Sequence, residues 1–271
     1  DMLDFDKTVT EKTVPIGWIG LALCIIPFVI LDFSSSSLLV YLPFGASVLL
    51  FGLPHGAVDH LVPRYLDDYK TSQSVGLVVT IYIILGTIYM ILWFFNPMVA
   101  LIICILVTIL HWGQGDNYVY TKVLNARYIS ESRIGSVTGI LLKGSFPMIV
   151  PLIFHKTEYI AVIDSINKVF GYESKFMSVL HSDSTELFAT AFVLLIAGLY
   201  IANAVRFGVG KPFRIDLIEM VILTINFYLL TPVYAIGVYF CFWHSIRHIG
   251  RLMDADDKLD DYSLAVLIKR F

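Results

Sequence analysis

The chain is 271 residues long, 57% of them hydrophobic and 15% charged, with a formal net charge of −3. Its mean hydropathy of +0.77 is too high for a water-soluble domain, which would have to bury most of this apolar surface in one core. The small net charge argues against a nucleic-acid-binding protein. Composition therefore predicts an all-α, polytopic membrane protein.

Eight stretches are long and apolar enough to cross a hydrocarbon layer about 30 Å thick, which requires roughly 20 residues per helix. They are 14–33, 38–58, 75–95, 97–112, 134–154, 187–205, 215–231 and 232–249. The very short connections at residues 96–97 and 231–232 predict antiparallel helical hairpins. We expect a single integral membrane domain over residues 1–271, with a polar leader at 1–13, a short surface helix within 155–186 and a cytosolic tail at 254–271.

Lysine and arginine are concentrated on one side of this eight-span arrangement. Arg247 and Arg251 are counted with the cytoplasmic C-terminal segment, whereas only Lys156, Lys168 and Lys175 fall in loops on the opposite side, and Lys143 lies inside a span. Since short cytoplasmic loops carry the excess of positive charge, both termini are predicted to be cytoplasmic. The expected location is the cell (inner) membrane, with several passes through the lipid bilayer.

Five of the seven histidines fall in one layer near the predicted cytoplasmic ends of three spans. They are His55, His60, His111, His244 and His248. An imidazole in or beside a bilayer is costly to desolvate, so a group of them at one depth indicates a function, usually metal binding. His155 and His181 lie in the loop on the other side and are excluded, because a lone histidine at a helix end is more often an interfacial or capping residue.

The spacing of these histidines favours a shared metal ion. His244 and His248 are four residues apart, which places both imidazoles on one face of a helix. His55 lies between a proline and a glycine, where the helix is expected to bend. His111 precedes two glycines that are expected to loosen its helix. Neutral nitrogen ligands without a thiolate suit iron, copper or zinc.

Further residues of the same layer are predicted to support the site. Asp59 and Asp116 are expected to accept the second N–H of ligand imidazoles, as carboxylates commonly do. His60 points elsewhere on a regular helix and is assigned a similar supporting role. Aromatic side chains near the histidines are candidates for the wall of a pocket that takes an apolar, conjugated substrate. These are Phe51, Trp112, Phe240 and Trp243.

Three motifs that contain these residues resemble those of a known family. They are Pro54-His55-Gly56-Ala57-Val58-Asp59-His60, His111-Trp112-Gly113-Gln114-Gly115-Asp116 and Trp243-His244-Ser245-Ile246-Arg247-His248. In sequence and order they are similar to the motifs of the bacterial and archaeal Brp/Blh family of membrane β-carotene 15,15'-dioxygenases. The resemblance spans most of the chain.

The resemblance implies an integral membrane enzyme that uses Fe(2+) and O2 to cleave the central double bond of β-carotene into two molecules of all-trans-retinal. It implies that the iron ligands are His55, His111, His244 and His248. It also implies that the product is supplied to a microbial rhodopsin.

Other classes of protein remain as alternatives. A di-iron membrane desaturase or hydroxylase also uses histidines at the cytosolic face, but it is expected to have more of them in clustered boxes. A non-enzymatic carotenoid- or retinal-binding protein would explain the aromatic residues and leave the histidine layer without a purpose. In such a protein Lys143 would be a Schiff-base candidate, but a lone lysine is more often cavity-lining or snorkelling, and Glu219 is interpreted in the same way.

Two further classes fit the histidines poorly. A haem-binding electron carrier needs axial histidines that face each other from separate helices, which His244 and His248 on one face do not provide. An intramembrane zinc protease would need an HExxH signature, which the sequence lacks.

Overall fold

The computed structural model describes residues 9–31, 38–52, 56, 59, 63, 70–171 and 176–255. Over these residues the regular structure consists of helices without a strand, so the predicted all-α class is confirmed. Most of the predicted leader and all but the first two residues of the predicted tail lie outside the described residues.

The described part of the chain contains α-helices of very different lengths. They are α1 Val9–Ile30, α2 Leu42–Ala46, α3 Thr71–Phe95, α4 Pro97–Lys122, α5 Arg127–Ser130, α6 Arg133–Met148, α7 Val150–Phe154, α8 Lys156–Val169, α9 Phe176–His181, α10 Ser184–Arg206, α11 Lys211–Leu229, α12 Pro232–Tyr239 and α13 Ile246–Ala255. A 3₁₀ turn, Leu38–Tyr41, precedes α2. Two π-helical segments, π1 Ser47–Gly52 and π2 Phe240–Ser245, follow α2 and α12.

Four helices of the described part of the chain are long and apolar enough to cross a membrane. They are Lys12–Ile30, Thr71–Phe95, Pro97–Lys122 and Ser184–Arg206. The remaining predicted spans are also helical where the structure describes them, but they are shorter, interrupted or more polar. Eight crossings and the cytoplasmic position of both termini therefore stay predictions.

Buried charges are a second feature that distinguishes some of these helices from the four apolar ones. Lys143 on α6, Asp216 and Glu219 on α11, and Arg247 on α13 are each at most 2% exposed. A helix that carries such groups into the protein interior has a lower hydropathy than a helix that faces lipid. The charged side chains of these helices therefore lie inside the bundle.

The junction at Asn96 confirms the first predicted hairpin. The Asn96 side chain accepts a hydrogen bond from the backbone N–H of Val99 at 3.2 Å, which caps the first turn of α4. The Tyr89 hydroxyl of α3 donates to the carbonyl oxygen of Ala100 on α4 at 3.1 Å. The two helices therefore pack side by side directly after the turn.

The helix that carries His111 is longer than predicted. It continues past Trp112 to Lys122 as one α-helix, so the expectation that the glycines loosen it is wrong. A Cβ added to Gly113 would lie 2.0 Å from the carbonyl oxygen of Ile140 on α6. The glycine is needed because the backbones of α4 and α6 cross at very short distance, as small residues allow in membrane bundles. This crossing fixes the position of His111 relative to α6.

Replacement of Gly113 by alanine should destabilise this crossing, because the added methyl group meets backbone rather than a flexible side chain. We expect the free energy of unfolding to fall by about 1–3 kcal/mol, the usual range for overpacking. Thermal unfolding in detergent measures this as a lower midpoint. Gly198→Ala on α10 is the matched control, since no heavy atom lies within 4 Å of its added Cβ. Equal midpoints for the two variants would contradict the prediction.

Candidate metal centre

The structure brings together the three candidate ligand histidines that it describes. His111 is on α4, His244 is in π2, and His248 is on α13. The ring centres of His111 and His244 are 5.3 Å apart, and those of His244 and His248 are 6.4 Å apart. His55 and His60 lie outside the described residues.

His244 lies within a π-helix, which was not predicted from the sequence. Its i→i+5 hydrogen bonds widen the helix at this point, and such segments are common at functional sites. His244 and His248 nevertheless remain on one side of the helix, with ring planes 20° apart. The other π-helix, π1, directly precedes the first histidine motif and packs against π2, where the rings of Phe51 and Phe242 are 6.4 Å apart.

The histidines fit a metal ion in chemistry and spacing. Imidazoles that coordinate one ion at metal–nitrogen distances of about 2.1 Å have ring centres roughly 5 to 6.5 Å apart. Both measured separations lie in this range. The nearly parallel rings of His244 and His248 must rotate before both direct a nitrogen at one ion. Accordingly, no group of three or more His, Cys, Asp or Glu side chains among the described residues is already arranged to hold a metal.

The His248 ring has a polar contact at each nitrogen. Arg251 lies 2.8 Å from Nδ1, and because a guanidinium can only donate, Nδ1 is the acceptor. Nε2 therefore carries the proton and lies 3.5 Å from Oδ1 of Asp59. The other carboxylate oxygen of Asp59 accepts a hydrogen bond from the Tyr82 hydroxyl on α3. If Asp59 keeps its contact at Nε2, His248 coordinates through Nδ1, and the Arg251 contact at that nitrogen must open.

Asp116 lies in a buried group of charges that we call the ionic cluster, formed by Asp116, Glu219 and Arg247. The Arg247 guanidinium donates to Oδ1 of Asp116 at 3.1 Å and to Oε1 of Glu219 at 2.5 Å. These side chains are at most 4% exposed. The contacts do not support the prediction that Asp116 accepts from a ligand imidazole. They show that it anchors the helix that carries His244 and His248.

Trp243 belongs to the same cluster. It is fully buried, its indole N–H donates to Asp116 at 3.2 Å, and the Arg247 guanidinium lies 3.8 Å from the centre of its ring. This position does not support the prediction that Trp243 lines a substrate pocket. Arg247 itself was counted as a charge of the cytoplasmic tail, but it is 2% exposed and adds nothing to the topology argument.

Further polar side chains complete the ionic cluster from other helices. Glu219 accepts hydrogen bonds from the Trp18 indole on α1, at 2.7 Å, and from the Tyr120 hydroxyl on α4. The snorkelling or cavity position expected for Glu219 is therefore wrong. In a low-dielectric interior the carboxylates are tolerated because each has a cation and hydrogen-bond donors.

Lys143 is also buried with partners rather than snorkelling. Its ammonium group lies 3.3 Å from Asp216, donates to the Tyr200 hydroxyl at 2.6 Å and lies 4.0 Å from the centre of the Tyr120 ring. The Tyr128 and Tyr200 hydroxyls donate to Asp216 as well. Lys143 therefore has a structural ion-pair partner deep in the bundle, which is a different environment from that of a Schiff-base lysine open to a ligand.

Comparison with known proteins decides the family. The family model described as beta-carotene 15,15'-dioxygenase matches residues 46–271. The chain belongs to this family. It is also 32% identical over 251 residues to a protein of Halobacterium salinarum described as the probable beta-carotene 15,15'-dioxygenase Blh, and the match covers 92% of this chain and 72% of that protein. No solved structure matches the chain.

Aromatic rings border the histidines of this beta-carotene 15,15'-dioxygenase family member on one side. The ring centres of Trp112 and Phe240 lie 5.3 Å and 5.6 Å from that of His244. His111 lies on the exposed face of α4, next to the exposed apolar side chains Val107 and Leu110. The histidine group therefore lies between a wall of aromatic rings and an apolar surface that suits lipid.

The two excluded histidines have other contacts. Nε2 of His155 lies 3.0 Å from the carbonyl oxygen of Tyr228, and His155 precedes the first residue of α8. His181 lies 3.8 Å from Asp164. The loop that contains these histidines forms helices α8 and α9, so the predicted surface helix within 155–186 is confirmed and has a second helix beside it.

Proposed function

We propose that this chain cleaves the central 15,15' double bond of β-carotene with O2 and gives two molecules of all-trans-retinal. The observation that supports this most directly is the grouping of His111, His244 and His248, from two distant motifs, at an apolar edge of the bundle. Its membership of the beta-carotene 15,15'-dioxygenase family supports the same reaction.

We further propose that Fe(2+) is held by the three grouped histidines together with His55. Imidazole nitrogens suit ferrous iron and leave its positive charge undiminished. When bound, the iron supplies the binding and activation of O2. Asp59 lies beside the His248 ring and orients it, while His60 supports the same layer.

The protein contributes to the reaction by positioning the substrate. The substrate is apolar, so it is expected to enter from the lipid over the exposed face of α4 and to lie against Trp112 and Phe240. Symmetric cleavage requires space for one half of the polyene on each side of the histidines, so that its central carbon pair meets the metal. The net reaction consumes one O2 for each β-carotene and forms two carbonyl groups, so no proton donor or reductant is needed.

The charge bias of the loops supports a location in the inner membrane with the metal centre near the cytoplasmic side. Retinal formed there would be released into the bilayer, where a microbial rhodopsin is the proposed acceptor.

Metal analysis of the purified protein, combined with a retinal assay, tests the proposal. We expect about one iron per chain and retinal formation from β-carotene that stops on chelation and returns with Fe(2+) but not with Zn(2+). Two irons per chain without retinal would favour a di-iron desaturase or hydroxylase. A protein without metal or retinal formation would favour a carotenoid-binding protein.

A further inference from the structure

Tyr82 connects an outer helix to the first histidine motif. Its helix, α3, is strongly apolar, and none of the 18-residue window that marks it as a membrane span is buried. Tyr82 lies in the middle of this helix. A Cβ added to Gly56 would lie 3.6 Å from Cε2 of Tyr82 and 3.8 Å from its hydroxyl oxygen, so the tyrosine ring packs over the glycine. The hydroxyl donates to Oδ2 of Asp59.

The same carboxylate reaches the last histidine motif. Oδ1 of Asp59 lies 3.5 Å from Nε2 of His248, so each oxygen of the carboxylate has its own partner. The backbone N–H of Asp59 donates to the carbonyl oxygen of Gly56 at 3.2 Å, which closes a turn beneath the tyrosine ring. Tyr82, Asp59 and His248 therefore form a continuous chain of contacts across three segments.

We propose that Tyr82 is a positioning residue for the metal centre: it fixes the Asp59 carboxylate and, through it, the orientation of the His248 ring. The inference rests on the proposed function, since it assigns His248 to the metal. A carboxylate with one oxygen held by a phenol has less rotational freedom, and partners that orient a ligand imidazole strongly affect metal affinity. The hydrogen bond also stabilises the Tyr82 hydroxyl, because a hydroxyl without a partner is costly in an apolar environment.

Metal titration of variants tests this assignment without relying on turnover. The probe is Co(2+), whose affinity and visible absorption both report on its ligands. We expect Tyr82→Phe to bind Co(2+) about tenfold more weakly and Asp59→Asn about 10- to 100-fold more weakly than the wild-type protein. Tyr82→Phe keeps the ring over Gly56 and removes only the hydroxyl, so the fold is preserved.

The double variant identifies the route of the effect. If Tyr82 acts through Asp59, adding Tyr82→Phe to Asp59→Asn should cause almost no further loss of Co(2+) affinity. Tyr89→Phe is the matched control, because Tyr89 is on the same helix and donates to a backbone carbonyl on α4. We expect it to retain wild-type affinity and absorption.

The outcomes separate this inference from the proposed function. A wild-type protein that binds Co(2+) and makes retinal with Fe(2+), beside a Tyr82→Phe variant with unchanged affinity and absorption, would overturn the role of Tyr82 alone. Additive losses in the double variant would overturn the route through Asp59. A wild-type protein that binds neither metal would overturn the iron site and this inference together.

Discussion

His244→Ala is expected to lose bound iron and retinal formation together. His244 is 3% exposed, and its ring centre lies 5.3 Å from that of His111 and 6.4 Å from that of His248, so its loss removes the imidazole that is close to both other described candidate ligands. Loss of partners that merely orient a ligand costs about 10- to 100-fold in metal affinity, so loss of the ligand itself should exceed about 100-fold. Iron content after purification and the rate of retinal formation measure the two effects on the same sample.

Two further variants distinguish the loss of a metal-binding nitrogen from the loss of side-chain packing. His244→Phe keeps a flat ring beside Trp112 and Phe240 but has no nitrogen, so it should lose iron as completely as the alanine variant. His181→Ala is the control, because His181 is an exposed histidine near Asp164 on the loop helices. It should retain iron and activity. A His244→Phe protein that keeps both would remove His244 from the metal centre.

The sequence predicted those parts of the site that depend on local geometry. His244 and His248 share one side of a helix because they are four residues apart, and this held even though π2 widens the helix there. The proximity of His111 followed from the argument that places the ends of several spans in one layer. The π-helix itself was not predicted, because no residue type or spacing in this apolar segment distinguishes i→i+5 from i→i+4 hydrogen bonds.

Other features depended on partners that are distant in the chain. The role of Gly113 is decided by the backbone of Ile140, so local sequence did not distinguish a loosened helix from a close crossing. Arg247 was interpreted as a tail charge because its carboxylate partners lie on α4 and α11. The sequence did not indicate a role for Tyr82 at the metal centre, since a tyrosine within an apolar helix is usually an ordinary lipid-facing or interfacial residue.

Arg247→Met should destabilise the whole bundle and not only the metal centre. It leaves the carboxylates of Asp116 and Glu219 buried without their cation, and removal of one partner of a buried ionic group costs about 3–5 kcal/mol. For a chain of this size such a loss corresponds to a fall of roughly 10 °C in the midpoint of thermal unfolding. The midpoint in detergent, measured without added metal, isolates this effect from ligand binding.

Comparison with neutral and conservative variants tests the cause. Arg247→Lys keeps the charge but not the fork that reaches both carboxylates, so its midpoint should fall between those of the wild-type and Arg247→Met proteins. Adding Asp116→Asn and Glu219→Gln to Arg247→Met removes the unpaired charges and should recover part of the lost stability. Arg127→Met is the control, because the Arg127 side chain is 73% exposed and its ion pair with Glu131 should contribute little. If the neutral triple variant is no more stable than Arg247→Met, then lost packing of Arg247 on Trp243, rather than uncompensated charge, causes the destabilisation.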